Sequence, residues 1–209
     1  MNINNLNQSY DIVLASGSPR RKEILSNAGF EFRIVKSEGE EVITSSDPSR
    51  VVEELSLQKA MEVWKRLAGD GDEVKGVRRK LVIGADTVVA SNGAILGKPA
   101  DEEDAFRMLS DLQGRSHSVF TGYTWIADAD SDSDETSTVC TNHVETKVYV
   151  NAMSEEEIRD YIRTGEPMDK AGAYGIQGLF ARFVQGIEGD YLNVVGFPLS
   201  AFCQSLKQL

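Results

Sequence analysis

The stretch Leu14-Ala15-Ser16-Gly17-Ser18-Pro19-Arg20-Arg21 decides the fold. The apolar run at residues 12–15 indicates a buried strand that ends at the small residues. Ser18 is a favoured N-cap residue, and Pro19 fits the first position of a helix. The stretch therefore predicts a strand, a tight turn and the N-terminus of a helix, in that order.

Arg20 and Arg21 stand in the first turn of that predicted helix. A helix N-terminus carries partial positive charge and free N–H groups, so cations are unfavourable there unless an anion is bound as well. The two arginines therefore favour a phosphate site at this turn. A plain strand-to-helix turn with two solvated arginines is the alternative interpretation.

Composition limits the class of protein. The chain has 209 residues, 41% of them hydrophobic and 26% charged, which suits one large domain or two small lobes with a buried core. A net charge of −11 argues against binding along a nucleic-acid backbone. No apolar run approaches the roughly 18 residues of a membrane span, so we expect no membrane association. Cys140 and Cys203 form no zinc spacing with the two histidines and suit a reducing compartment, so we expect a cytoplasmic protein.

The first residues of the chain are polar and rich in asparagine, unlike a signal or transit peptide. We expect residues 1–10 to be a flexible extension and residues 11–209 to form a single domain.

Helix patterns and strand patterns both occur along the chain. A Gly/Asp-rich stretch at residues 69–76 and an acidic cluster at residues 128–135 are expected to be loops. Strands are predicted at residues 30–34, 81–85, 88–90, 94–96, 116–126, 139–150 and 180–185, and helices are predicted to begin near Asp47, Asp101, Ser154 and Pro198.

Acidic side chains occur at two places that suit a metal ion or a reacting water. Residues 37–41 form a glycine-interrupted acidic loop, and carboxylate oxygens are ligands that Mg²⁺ and Mn²⁺ prefer. Asp86 directly follows the apolar run 81–85, and open α/β sheets bind ligands at the carboxyl ends of their strands. A solvated turn at the loop and an ordinary turn at Asp86 are the structural alternatives.

Basic and amide side chains supply the remaining candidates. Lys59 interrupts the apolar side of the helix predicted after Asp47, and Lys98 lies between Gly97 and Pro99, directly after a predicted hairpin. Residues 165–178 mix both charges with several glycines and contain Lys170 and Gln177. A loop of this composition is usually functional when it is ordered.

Five stretches together are more specific than any one of them: Ala15-Ser-Gly-Ser-Pro-Arg-Arg21, Gly84-Ala-Asp-Thr87, Leu96-Gly-Lys-Pro99, Asp169-Lys-Ala-Gly-Ala-Tyr-Gly-Ile-Gln-Gly178 and Asn193-Val-Val-Gly-Phe-Pro198. Together they resemble the Maf family of nucleoside triphosphate pyrophosphatases over about residues 11–207. The long glycine-rich motif is similar to the dTTP/UTP branch rather than to the branch that acts on 7-methyl-GTP. Two further stretches, residues 24–29 and 190–198, look especially like the Maf domain of the eukaryotic acetylserotonin methyltransferase-like proteins.

The resemblance implies an α/β fold with an elongated mixed sheet flanked by helices and a cleft between two lobes, similar to the inosine triphosphatases. It also implies a homodimer and a divalent-metal-dependent release of pyrophosphate from a nucleoside triphosphate. Gly39-Glu40-Glu41 departs from the more usual Val-Asp-Glu pattern, so Glu40 or Glu41 is the metal carboxylate, and we prefer Glu41. The implied site comprises Asp86, Lys98 and Lys170 as catalytic residues; Ser16, Arg20, Arg21, Lys59, Thr87 and Gln177 as substrate-binding residues; and Glu41 and Asp86 as metal ligands.

The chemistry of the reaction fits these residue types. Arginine and lysine neutralise the phosphates, and Asp86 is expected to deprotonate the attacking water beside a Mg²⁺ or Mn²⁺ that it holds with Glu41. The Gln177 amide offers both a donor and an acceptor, which matches the edge of uracil and thymine, so dTTP and UTP are the expected substrates and CTP a further candidate. Two alternatives stay open: a house-cleaning pyrophosphatase for modified nucleotides, and a nucleotide-binding regulatory or division-inhibiting protein without relevant turnover.

Overall fold

The computed structural model describes residues 2–69, 78–129 and 137–209, so most of the loop predicted at residues 69–76 and most of the acidic cluster 128–135 lie outside the described residues. Helices and strands alternate through the first half of the chain. The helices are α1 (Ile3–Ser9), α2 (Pro19–Asn27), α3 (Pro48–Gly69), α4 (Glu102–Leu112), α5 (Glu155–Ile162), α6 (Tyr191–Val195) and α7 (Leu199–Ser205). The strands are β1 (Tyr10–Leu14), β2 (Phe32–Ile34), β3 (Arg79–Ser91), β4 (Ala94–Leu96), β5 (Ser116–Asp128), β6 (Ser137–Val150) and β7 (Val184–Glu188).

The strands form one seven-stranded mixed sheet in the order β2-β1-β3-β5-β6-β7, with β4 paired to β3. β1 pairs with β2 and β3 in parallel, and the remaining pairs are antiparallel. This sheet, flanked by helices, confirms the predicted α/β class.

One edge of β3 is left open over a short stretch. β1 pairs with β3 only as far as Ile83, and β4 pairs with it only from Val89 onward. β5 occupies the opposite edge continuously from Leu81 to Ala90, so β1 and β4 share the same edge of β3 and leave residues 84–88 uncovered between them. We call this stretch the sheet gap. The turn after β1 and the segment after β4 both lead into it.

Helix α3 packs closely against one face of the sheet. A Cβ atom at Gly84 would lie 2.4 Å from the Ser56 carbonyl oxygen, and one at Gly122 would lie 2.1 Å from that of Val52. Only glycine permits this approach. The helix covers small apolar clusters that include Val13, while the larger core lies on the opposite face; among the described residues no helix is long and apolar enough to cross a bilayer.

Three local expectations differ from the structure. Asp86 does not follow a strand but lies inside β3, because antiparallel pairing with β5 carries the strand through it. The strand expected at residues 180–185 begins later, as β7, because Leu179–Phe183 forms a 3-10 turn. Ile3–Ser9 forms α1, whose Leu6 is buried against the main core, where the sequence predicts an extension. The division at residue 10 stays a prediction.

Candidate active site

A single cavity of about 990 Å³ lies at the sheet gap. Every site residue predicted from the sequence lines it, although these residues come from distant parts of the chain. Their roles stay predictions, but their convergence is a property of the structure. The residues concerned are Ser16, Arg20, Arg21, Glu41, Lys59, Asp86, Thr87, Lys98, Lys170 and Gln177.

The side chain of Arg21 is fixed by three hydrogen bonds at the start of α2. Its Nε donates to the Gly196 carbonyl at 2.9 Å, Nη1 to Ser16 Oγ at 3.1 Å and Nη2 to Thr87 Oγ1 at 3.1 Å. Burial lowers the pKa of Arg21, and the charge of Asp86 counteracts part of that effect. Arginine remains charged at neutral pH all the same, so the pocket contains a fixed and partly desolvated cation.

Thr87, which accepts a hydrogen bond from Arg21, is itself held by a series of polar contacts that leads into the core. Thr87 Oγ1 lies 3.0 Å from Thr121 Oγ1, and Thr121 Oγ1 donates to the Asn193 carbonyl at 2.9 Å. The Asn193 side chain in turn donates to the Val119 carbonyl at 3.0 Å. Sequence reasoning missed Thr121, which is fully buried and lies opposite Thr87 in the β3–β5 register.

Lys59 of α3 joins the two carboxylates predicted to hold a metal. Its Nζ lies 2.5 Å from Asp86 Oδ1 and 2.8 Å from Glu41 Oε1. Lys59 and Asp86 are mostly buried, whereas Glu41 is half exposed. Glu41 lines the cavity and Glu40 is not among its lining residues, which agrees with the preference for Glu41 over Glu40 at this position.

Glu41 lies in a segment without helix or strand, residues 36–44, which we call the strap. Side chains of α3 spaced four residues apart bind its backbone: Arg66 donates to the Lys36 carbonyl, Glu62 accepts from Gly39 N at 3.0 Å, and Glu54 accepts from Thr44 N at 3.0 Å. Gln58 binds both the N–H and the carbonyl of Val42, at 2.9 and 2.6 Å. This spacing places the four α3 side chains along one stripe of the helix.

These α3 contacts fix the backbone on both sides of Glu41. Glu62 also accepts a hydrogen bond from the Ser37 hydroxyl, and this contact lowers the pKa of the Glu62 carboxyl. Sequence reasoning missed the α3 stripe, although its regular spacing of long polar side chains is visible in the sequence.

Lys170 and Gln177 enter the cavity from residues 166–179, which we call the glycine-rich loop. Lys170 Nζ donates to the Glu166 carbonyl at 2.6 Å and to Asp169 Oδ1 at 2.7 Å. Asp169 also lies 3.9 Å from Arg20 Nη1, so the loop faces the start of α2. Glu166, which sequence reasoning did not assign to the site, lines the cavity as well.

Lys98 and Gln177 differ from the other polar residues of the cavity. Both are exposed, and within the described part of the chain neither side chain has a hydrogen-bond partner. Lys98 follows β4 at one end of the sheet gap, where the neighbouring Gly97 carbonyl accepts from Gly172 N at 3.0 Å. Their polar groups are therefore free to bind a ligand.

The cavity also has an apolar wall beside its charged groups. This combination suits a ligand with a strongly anionic part and a planar or apolar part. The wall is formed by Ile43, Val51, Leu55, Val88, Val89, Ile95 and Val119.

Comparison with known proteins points to one family. The family model described as Maf-like protein matches residues 11–209. A protein of Agathobacter rectalis named dTTP/UTP pyrophosphatase is 50% identical over 95% of this chain and 97% of its own length. A protein of Thermococcus kodakarensis with the same name is 48% identical, with 95% and 96% covered. A human protein named probable bifunctional dTTP/UTP pyrophosphatase/methyltransferase protein is 47% identical over 95% of this chain and 32% of its own length.

Proposed function

This chain belongs to the Maf family, and from that premise we propose that it hydrolyses nucleoside triphosphates between the α- and β-phosphates. The products are the nucleoside monophosphate and pyrophosphate, and dTTP and UTP are the preferred substrates. Relatives named for this activity match nearly the whole chain at 45–50% identity. The observation that carries the proposal is the convergence of several cations and the Asp86 carboxylate on one cavity.

The cations bind the triphosphate. Arg21 lines the cavity, and each of its Nη atoms donates one N–H to Ser16 or Thr87 and has a second N–H for a phosphate oxygen. Lys98 and Lys170 add point charges from the opposite side of the sheet gap. Surrounding the phosphates with positive charge reduces the repulsion that opposes attack by an anionic nucleophile.

Asp86 is the general base in this proposal. Lys59 holds its Oδ1, and within the described residues Oδ2 has no hydrogen-bond partner. Oδ2 is therefore available to accept a proton from a water near the α-phosphorus. General-base catalysis of this kind contributes about 10²–10⁴-fold to a rate.

Glu41 and Asp86 suit a divalent cation. Both carboxylates already converge on one positive charge, the Lys59 ammonium, which shows that their oxygens reach a common point. Among the described residues, no three or more His, Cys, Asp or Glu side chains are placed so that they could hold a metal ion together. Two carboxylates with phosphate oxygens from the substrate form a donor set typical of Mg²⁺, and Mn²⁺ accepts the same ligands. When bound, the ion would supply further charge neutralisation at the phosphates.

Gln177 selects the base. Its amide presents one acceptor and two donors, and uracil and thymine present an N3–H donor beside an O4 acceptor. A single amide can therefore pair with both positions. Cytosine presents the reverse pattern, which a flipped amide would serve, so CTP is expected to follow dTTP and UTP.

The test is a panel of dTTP, UTP, CTP, ATP and GTP with Mg²⁺ or Mn²⁺, in which the products are identified. We expect monophosphate and pyrophosphate, with the thymine and uracil nucleotides fastest. Asp86→Asn is expected to fold normally and to lose about 10²–10⁴-fold in kcat. Asp11→Asn is the matched control, because Asp11 is also ion-paired, to Arg33 at 3.1 Å, but lies outside the cavity lining.

Three results would contradict the proposal. Diphosphate and phosphate as products would place the cleavage at another bond. Purine nucleotides turning over fastest would remove the assignment of Gln177. Near-normal turnover by Asp86→Asn would remove Asp86 from the mechanism.

A further inference from the structure

We propose that Tyr161 and Glu166 are positioning residues that set base selection through Gln177 and turnover through Lys170. The proposal rests on the proposed function, since it concerns the same cavity. Neither residue was assigned to the site from the sequence. Glu166 lies at the start of the glycine-rich loop, and its carboxylate contacts both that loop and α5.

This one carboxylate joins the two ends of the glycine-rich loop. Glu166 Oε2 accepts a hydrogen bond from Leu179 N at 2.9 Å, across thirteen residues of sequence. Its other oxygen, Oε1, accepts from the Tyr161 hydroxyl at 2.9 Å. Tyr161 lies on α5 and is fully buried, so a rigid helix fixes the carboxylate.

The carboxylate lies directly against the residue that follows Gln177. A Cβ atom at Gly178 would lie only 2.3 Å from Glu166 Oε1, so this position accommodates the carboxylate because it has no side chain. The backbone directly after Gln177 is therefore anchored against the Glu166 carboxylate. Its own side chain has no partner among the described residues, so its direction depends on this backbone anchor.

The same residue fixes Lys170. The Glu166 carbonyl accepts from Lys170 Nζ at 2.6 Å, and the lysine stem packs over Gly175, where a Cβ atom would lie 2.8 Å from Lys170 Cε. The Tyr161 hydroxyl also accepts from Gly175 N at 3.3 Å. The positions of the Lys170 ammonium and of the Gln177 backbone therefore both depend on Tyr161 of α5, through Glu166.

Tyr161 is suited to this role because it stays protonated. Burial, and next its hydrogen bond to Glu166, raise the pKa of the Tyr161 phenol. The hydroxyl therefore stays protonated and donates to Glu166 at neutral pH. Its ring packs beside Phe180 with 5.2 Å between the ring centroids, so the ring can keep its place without the oxygen.

Tyr161→Phe tests the proposal by deleting only that oxygen. We expect kcat/KM for UTP to fall about tenfold, the scale of one hydrogen bond to a charged group, and the UTP-to-CTP ratio of kcat/KM to move toward one. Tyr149→Phe is the matched control, because Tyr149 donates to Glu188 at 3.0 Å in an exposed pair outside the cavity. The control is expected to change neither quantity.

A double-mutant cycle separates positioning from general stability. Glu166→Ala is expected to reduce kcat/KM for UTP and the UTP-to-CTP ratio of kcat/KM further than Tyr161→Phe does. Adding Tyr161→Phe to Glu166→Ala is expected to have no additional effect on that ratio. An unchanged ratio in Tyr161→Phe, or full additivity in the double variant, overturns the inference while wild-type hydrolysis leaves the proposed function standing. A wild-type protein that releases no pyrophosphate from UTP or dTTP overturns both.

Discussion

The strap and the glycine-rich loop both deliver charged residues to the cavity, but they are held in different ways. The strap, which carries Glu41, is bound along its length by four side chains of α3, most of them partly exposed. The glycine-rich loop, which carries Lys170 and Gln177, is closed by the single carboxylate of Glu166 and its buried partner Tyr161.

The difference shows two ways to fix a segment that has no regular structure. A typical hydrogen bond contributes about 0.5–1.5 kcal/mol to stability. The strap depends on several such weak contacts, so the loss of any one of them leaves the others to hold the segment. A buried donor or charge left without its partner costs more, so the glycine-rich loop depends on one strong contact. The strap should therefore tolerate single substitutions that the glycine-rich loop does not.

Matched glycine substitutions should show the largest contrast. Gly178→Ala places a Cβ 2.3 Å from the Glu166 carboxylate, whereas Gly39→Ala places one 3.1 Å from that of Glu62, which can move toward solvent. We expect Gly178→Ala to lower the free energy of unfolding by about 2–3 kcal/mol and kcat/KM at least about tenfold. Gly39→Ala should cost less than about 0.5 kcal/mol. Urea unfolding and UTP kinetics measure both, and equal losses would contradict the distinction.

Acid should loosen the glycine-rich loop before the strap. The Tyr174 hydroxyl of that loop lies 2.7 Å from His117 Nε2, and burial lowers the pKa of His117 from 6.5 to about 4. Because the unfolded chain binds the proton more readily, this histidine reduces stability as the pH falls below 6.5, by about 2 kcal/mol at about pH 5. The lowered pKa of Glu62 instead preserves the strap contact until the pH falls below its ordinary value of 4.5.

Urea unfolding between pH 7 and 5 measures this loss. His117→Gln should remove most of the pH dependence, and His143→Gln, which alters an exposed pair with Glu53, should keep it. Amide protection at Gly39 and Leu179 reports the two segments separately. Loss of protection at Gly39 first would reverse the order that we expect.

Single contacts of the strap should have the smallest effects. Glu62→Leu or Gln58→Leu alone is expected to lower kcat/KM about threefold or less, since the neighbouring contacts hold Glu41 in place. The double variant should lose more than the two single losses combined, with a higher Mn²⁺ requirement, because both sides of Glu41 are then released. Lys65→Met, an exposed α3 substitution, is the control. A single variant as impaired as the double would contradict the model of several weak contacts.

Local sequence patterns predicted much of the fold. Ser18 caps α2 and Pro19 begins it, as expected. The capping box between Ser154 and Glu157 at α5 is also confirmed. Helix caps depend on groups only a few residues apart, so they can be predicted from the local sequence. The position of Asp86 inside β3 was not predictable, because it depends on pairing with β5, far along the chain.

For the site as well, the residue types were predictable from the sequence, whereas the contacts between distant residues were not. The residue types suggested phosphate and metal chemistry without coordinates, and the structure brings all of them to one cavity. Glu166 and Tyr161 were missed because a positioning residue is recognised by the contacts that it makes. Glu166 contacts Leu179 at the other end of the glycine-rich loop, and no local sequence pattern shows that contact. Even the paired arginines differ: Arg21 is fixed by three hydrogen bonds, whereas Arg20 lies 3.9 Å from Asp169.

By itself, the sequence determined most of the helices, most of the strands and the set of charged groups, since propensity, capping and hydrophobic periodicity act over a few residues. Only the tertiary structure decided that β1 and β4 share one edge of β3 and leave the sheet gap between them. Strand pairing is a choice among distant segments with similar local preferences, and burial of the whole core decides it. The cavity exists because that choice leaves Asp86 and Thr87 uncovered at the point where the other charged segments meet.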